Sequence, residues 1–225
     1  MSEQPLSGDG TPRWRESYRR VRKNLLSGTD STNRARLRLL GVTALARSAR
    51  LLDLGAGDGN VARTLRGAGF HDVWGLEMQR ALVAGAPHLP PGRIVVASGV
   101  DIPFAAAAFD AVVIMDVLHH IAPADWAACL ADARRVLRPS GTLFVCEPAA
   151  TVLRQMLTGI LMSPLAGLSS FSRDKRAMVE EEREELDAWL ARERAMPALV
   201  EAAGFETQLF HRAWLHHYGR FRRAC

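Results

Sequence analysis

The chain has 225 residues, 48% of them hydrophobic and 24% charged, enough for one sizeable domain and too few for two of full size. Its three cysteines, Cys129, Cys146 and Cys225, form no CxxC pair, which argues against a disulfide framework or a structural zinc and fits a reducing compartment. The formal charge is +5, carried almost wholly by arginine and gathered toward the two ends, where it can attract nucleic acid or anionic lipid or simply present a solvated face.

Residues 1–11 are polar and rich in Ser, Gly and Pro, and are expected to be a disordered tail with no apolar core of a signal peptide. No stretch reaches the ~20 apolar residues of a membrane span, so a cytoplasmic protein is expected. Residues 12–225 read as a single domain. Trp14, Tyr18, Val21 and Leu25 share a face in a helix predicted over Pro12–Leu26, and Ser31 or Thr32 can cap a second helix running to about Arg47.

A strict alternation follows. Strands are predicted at Arg50–Leu54, Asp72–Glu77, Arg93–Ala97, Ala111–Met115 and Thr142–Cys146, with helices at Asn60–Gly67, Arg80–Ala84 and Ala124–Leu137 between them. Strands apolar throughout, such as Ala111–Met115, belong to sheets covered on both faces. Repeated strand–helix units imply an α/β fold, a doubly wound, mostly parallel Rossmann-like sheet of about seven strands with helices on both faces. After Glu147 the rhythm breaks into the apolar stretch Thr151–Ser170, a charged helical segment at Arg176–Arg194, a helix at Pro197–Ala203, a strand at Phe205–Phe210 and a last strand within His211–Arg223.

The chemistry is concentrated in the run Leu51-Leu52-Asp53-Leu54-Gly55-Ala56-Gly57-Asp58-Gly59-Asn60. A buried strand entering a glycine-rich turn at a helix start lets a ligand approach the backbone closely. The dinucleotide fingerprint fails because Asn60 stands where its third glycine belongs, and no Gly-Lys-Ser/Thr of a P-loop is present. Asp53 instead suits a ligand carrying an ammonium group, such as S-adenosylmethionine. Glu77, at the end of the second strand, is placed for ribose hydroxyls. Asp101 and Ile102, in the run Ser98–Phe104 after the third strand, offer an acceptor for an adenine amino group and a backbone donor.

With Phe109–Val113, Asp116-Val117-Leu118-His119-His120-Ile121 and Arg135–Leu143 added, the stretch Leu51–Glu147 resembles the class I S-adenosylmethionine-dependent methyltransferases, especially the small-molecule group related to ubiquinone and menaquinone biosynthesis. The resemblance implies S-adenosylmethionine as cofactor, giving S-adenosylhomocysteine. It implies Asp53, Gly55, Ala56 and Gly57 at the methionine end, Glu77 and Met78 at the ribose, Asp101 and Ile102 at the adenine, and Met115, Asp116 and Val117 along the crevice. The corresponding division is N-terminal helices at 12–48, a cofactor-binding core at 49–147, a substrate or lid segment at 148–196, and a C-terminal helix and strands at 197–225. Ser140 departs from the family's usual glycine, and Ala131–Arg134 lacks the glutamate common before the Arg-Val-Leu run.

No catalytic residue is assigned. Neighbouring side chains do not face each other on a helix, so His119-His120 is not expected to share a metal, and no metal is expected. The Met- and Leu-rich stretch within Pro148–Arg173 suits a small-molecule or lipid-like acceptor or a peripheral membrane contact, or simply core packing. The basic ends leave an RNA substrate as an alternative, although no RNA-binding module or Asn/Asp-Pro-Pro-Tyr/Phe signature is present. A non-catalytic partner that retains the fold is the other alternative. The oligomeric state is not fixed by the sequence.

Overall fold

The computed structural model describes residues 30–83, 89–90, 92–163, 176, 179–180 and 182–224. The expected tail at 1–11 and the helix at Pro12–Leu26 lie outside them. Seven strands form one sheet: β1 (Arg50–Leu54), β2 (Asp72–Glu77), β3 (Ile94–Val96), β4 (Phe109–Met115), β5 (Leu137–Pro148), β6 (Phe205–Ala213) and β7 (His216–Arg223). Their order is β3-β2-β1-β4-β5-β7-β6. The first five pair in parallel, and β7 runs antiparallel to both β5 and β6. The expected doubly wound, mostly parallel sheet is therefore the one observed.

Successive residues of a strand point to opposite faces, and both faces are buried here. Leu51, Val73, Ala111, Val113, Phe144 and Cys146 pack with Leu37 and Leu40 of α1 (Asp30–Leu40) and Ala62 and Leu65 of α2 (Asn60–Gly67). Leu52, Leu54, Val112, Ile114, Leu143 and Val145 pack on the other face against α4 (Trp126–Val136), whose Cys129, Leu130, Ala133 and Val136 form one apolar stripe. The short helix α3 (Arg80–Val83) and the exposed α5 (Val152–Met162) complete the first part of the chain. Helices α6 (Arg183–Leu190) and α7 (Met196–Ala202) bring Trp189, Met196 and Val200 onto the same face as α4.

Several boundaries differ from the sequence reading, each for a local reason. Helix α1 ends at Leu40 rather than about Arg47, because Gly41 turns into the left-handed region at φ 84. Helix α4 stops at Val136, and Leu137 already pairs with Phe109. Strand β5 then bulges around Pro139 and resumes pairing at Thr142. Ser140 occupies a left-handed conformation at φ 63 in this bulge, a position that favours glycine, and its hydroxyl accepts a hydrogen bond from Arg222. The charged segment at Arg176–Arg194 contributes α6 and a 3₁₀ turn at Glu193–Ala195 rather than one continuous helix over its described residues.

Candidate functional site

A cavity of about 450 Å³ opens at the carboxyl ends of β1, β2 and β4, the switch-point side where doubly wound sheets bind ligands. Its floor is the glycine-rich turn. Gly55 and Ala56 both donate to the Leu76 carbonyl, at 2.8 and 2.9 Å, so the turn is tied to the neighbouring strand. Gly55 sits at φ 76, and a Cβ there would lie 2.3 Å from Val117 Cγ2; only glycine fits this crossing of the β1 and β4 turns.

Glu77 spans the floor. Its carboxylate accepts from the Gly57 amide at 2.9 Å and from the Gln79 amide at 2.8 Å, and the residue is 7% exposed. Each oxygen retains acceptor capacity beyond that one bond, and the side chain forms part of the cavity wall. Gly55, Gly57, Glu77, Met78, Asp116 and Val117, all singled out from the sequence, line this cavity together.

The remaining five do not line it. Asp53 is 1% exposed, and its carboxylate accepts from the Ala62 amide at 3.1 Å, anchoring the start of α2 beneath the turn. Ala56 and Met115 are buried in the core. Asp101 is exposed, and the Ile102 amide is engaged by Asp132, whose carboxylate also pairs with Arg135. Arg135 in turn donates to the Ile102 and Phe104 carbonyls, both at 2.7 Å. Asp132 thus performs a loop-fastening task where the sequence seemed only to lack a glutamate. The cavity is bounded on this side by Ser98, Gly99 and Val100, just ahead of the two positions read from the motif.

Asp116, at the end of β4, adopts φ 57 and is fixed by charge. Arg36 of α1 donates to its carboxylate at 2.6 Å, and His216 of β7 lies 3.2 Å away. Burial alone would raise the Asp116 pKa, but the Arg36 guanidinium and the His216 hydrogen bond hold it well below the usual carboxylate range.

The two histidines have separate surroundings. His119 is 6% exposed, and its Nδ1 donates to Glu147 Oε2 at 2.7 Å. The other oxygen of Glu147 accepts from the Val117 and Leu118 amides at 2.7 and 2.8 Å, so this buried carboxylate fastens the turn after β4. His120 faces the cavity and bonds through Nδ1 to Glu185 of α6 at 2.9 Å. The turn Leu118–His120 is a 3₁₀ helix rather than an α-helix, and it brings the two rings within 4.0 Å at 40°. The expectation that neighbouring side chains stand apart therefore fails for this pair of rings. His119, His120 and Glu182 come within 4.8 Å of one another through one ligand-type atom each.

Glu182, Glu185, Gln79, Leu82, Ile121 and Asp125 complete much of the wall and were not legible as site residues. Among the described residues the lining includes five carboxylates, Glu77, Asp116, Asp125, Glu182 and Glu185, and neither lysine nor arginine. Such a field attracts cations and repels pyrophosphate. S-adenosylmethionine bears a sulfonium, an ammonium and one carboxylate, so its net positive charge, its ribose and the glycine-lined floor all fit the residues present.

The relatives agree. A family model described as a methyltransferase domain matches residues 52–145. A demethylmenaquinone methyltransferase of Mycolicibacterium vanbaalenii is 31% identical over 164 residues, covering 72% of this chain and 70% of that protein. One from Parafrankia sp. is 30% identical over 151 residues, and the chain spans 58% of its length and is itself covered to 58%. A solved S-adenosyl-L-methionine-dependent methyltransferase structure from Methanococcus maripaludis superposes with a TM-score of 0.68, covering 100% of this chain and 98% of that one at 13% identity, a likeness of fold. Fold and crevice define a class I methyltransferase architecture. The chain belongs to the S-adenosylmethionine-dependent methyltransferase family, and its sequence similarity extends to demethylmenaquinone methyltransferases.

Proposed function

We propose that the protein transfers the methyl group of S-adenosylmethionine to an apolar, hydroxyl-bearing aromatic small molecule of the quinol type. The observation that carries this reading is a cation-attracting, glycine-floored crevice in a chain related to demethylmenaquinone methyltransferases. S-adenosylmethionine supplies an electrophilic methyl carbon, so the protein's task is chiefly alignment. Gly55 and Gly57 face the methionine part, and Glu77 accepts from the ribose hydroxyls with Met78 beside it. Met115, Asp116 and Val117 shape the crevice, Met115 from the core side. Asp101 and Ile102 set the loop that presents Ser98–Val100 to the adenine. Asp53 and Ala56 act from behind, holding the turn and the start of α2.

The acceptor approaches from the side of His120, Asp125 and α6. Among the described residues of the 148–196 segment, it is Glu182 and Glu185 rather than the apolar α5 that border the cavity. A carboxylate-lined mouth is the wrong sign for a phosphate backbone, which favours a small molecule over RNA. No helix among the described residues is long and apolar enough to cross a membrane. Buried, free Cys129 and Cys146 suit the reducing cytoplasm.

The test is transfer of a labelled methyl group into host-cell extract, separated into organic, small aqueous and macromolecular fractions. Label in the organic fraction is the expected result. Label confined to nuclease-sensitive material overturns the reading.

A further inference from the structure

Among the described residues His120 is the one histidine in the cavity wall, and its placement is built from several elements. Glu147 fastens the backbone of the turn that carries it, through the Val117 and Leu118 amides. Trp126 of α4 donates its indole N–H to the Leu118 and Ile121 carbonyls, at 3.0 and 2.9 Å, closing the turn from the other side. Trp126 also meets Trp189 of α6 edge to face, with ring centroids 5.3 Å apart. Trp189 is 1% exposed and donates to the Pro148 carbonyl at 2.8 Å, so α6 is pinned against the end of β5. Glu185 lies four residues before Trp189 and therefore on the same helix face. The buried tryptophan thus sets the carboxylate that meets His120 Nδ1 at 2.9 Å.

An ionised carboxylate only accepts hydrogen bonds. Nδ1 of neutral His120 therefore carries the proton, and the lone pair resides on Nε2, at the opposite edge of a ring that borders the cavity. A carboxylate that orients an imidazole and stabilises its cation is the arrangement of a general base. The acidic groups around it strengthen that character. Burial works against the charged ring, but the hydrogen bond to Glu185 and the charges of Glu182, Glu185 and Glu147 raise its pKa overall. The His119 ring lies 4.0 Å from it, tilted by 40°, and Asp125 lines the same cavity.

We propose that His120, oriented by Glu185, is the proton acceptor for an uncharged, hydroxyl-bearing acceptor; the proposal rests on the methyl-transfer reading above. The acceptor's O–H bond breaks and its proton passes to Nε2. The electron pair left on oxygen, or relayed to the adjoining ring carbon, forms the bond to the methyl carbon while the S–C bond gives its pair to sulfur. Where carbon is methylated, the displaced ring proton returns to the oxygen, leaving one proton on His120 in either case. Among the described residues the lining carries carboxylates and neither Lys nor Arg, which favours a neutral acceptor over an anionic one.

The test uses 1,4-dihydroxynaphthalene bearing a short prenyl chain, with labelled S-adenosylmethionine, and measures kcat against pH for the parent, His120→Gln and Glu185→Gln, alongside cofactor binding by equilibrium dialysis. The His120 side chain is 41% exposed, so the substitution leaves the fold intact. H120Q is expected to bind the cofactor within about threefold of the parent and to lose about 100-fold or more in kcat, the usual scale of general-base catalysis. E185Q is expected to shift the acidic limb of the profile to lower pH, because it removes the partner that holds the imidazolium. An H120Q enzyme with parental kcat and the same acidic limb overturns the assignment of the base while leaving the methyl-transfer reading intact. A parent that binds the cofactor but never methylates the quinol overturns both.

Discussion

The crossing of Gly55 over Val117 makes a quantitative test of how the cofactor floor is assembled. In Gly55→Ala, the new Cβ would lie 2.3 Å from Val117 Cγ2, 2.8 Å from Cγ1 and 3.2 Å from Cβ. It would also have to hold φ 76, a left-handed conformation that costs an L-residue about 1–2 kcal/mol. Forcing two methyl groups aside in a packed region adds about 1–3 kcal/mol, for a total of about 2–5 kcal/mol. Val117→Ala removes both Cγ atoms and leaves only the 3.2 Å contact. The double variant is therefore expected to recover the packing part and retain the backbone part, giving a favourable coupling energy of about 1–3 kcal/mol in a double-mutant cycle. Urea denaturation of the four proteins measures this directly, and calorimetric titration with S-adenosylmethionine is expected to show weaker binding for G55A. A G55A protein within about 0.5 kcal/mol of the parent, or a strictly additive double variant, refutes the reasoning.

Other perturbations reach different parts of the same framework. Glu147→Gln deprives the Val117 and Leu118 amides and His119 of a shared ionised acceptor, and denaturation is expected to show a loss of about 1.5–3 kcal/mol. Asp116 has a depressed pKa in the folded state, so its ion pair contributes stability above the unfolded value near 4 and loses it as pH falls through the folded pKa. Arg36→Met is accordingly expected to melt below the parent at pH 7, with the gap narrowing only below about pH 4. Burial pushes the Cys129 thiol up to about 12 and raises that of Cys146 well above its ordinary value; peptide mapping after alkylation at pH 8 is expected to find both protected until denaturant is added.

Much of this architecture could be read in the sequence because its signals are local. Leu51–Asn60 encodes a strand, a turn and a helix within ten residues, and Ala111–Met115 announces burial by composition alone. The same applies to Glu77, whose position at a strand end fixes where its carboxylate points. Asp53 illustrates the limit. Its neighbourhood in sequence identifies the loop, but only the fold reveals that its carboxylate turns inward to Ala62. Glu185 was illegible for a stronger reason: it is 65 residues from His120, and nothing near it distinguishes a site carboxylate from a solvated helix face. Its role depends on Trp189 docking α6 against α4, a tertiary event without a local signature. The ring contact at His119-His120 has no local signature either, because it depends on Glu147 and Glu185 drawing the two imidazoles to separate carboxylates.

The strand order has a consequence for how the chain is made. β7, although latest in sequence, is inserted between β5 and β6, where it pairs with β5 over Thr142–Pro148 and with β6 over Phe205–Ala213. Until Arg223 has left the ribosome, the hydrogen-bonding edge of β5 is open and β6 has no neighbour to join. The nascent protein therefore carries an unpaired, largely apolar strand edge until β7 has been made, the interval in which a misplaced strand or a second nascent chain competes for the vacancy.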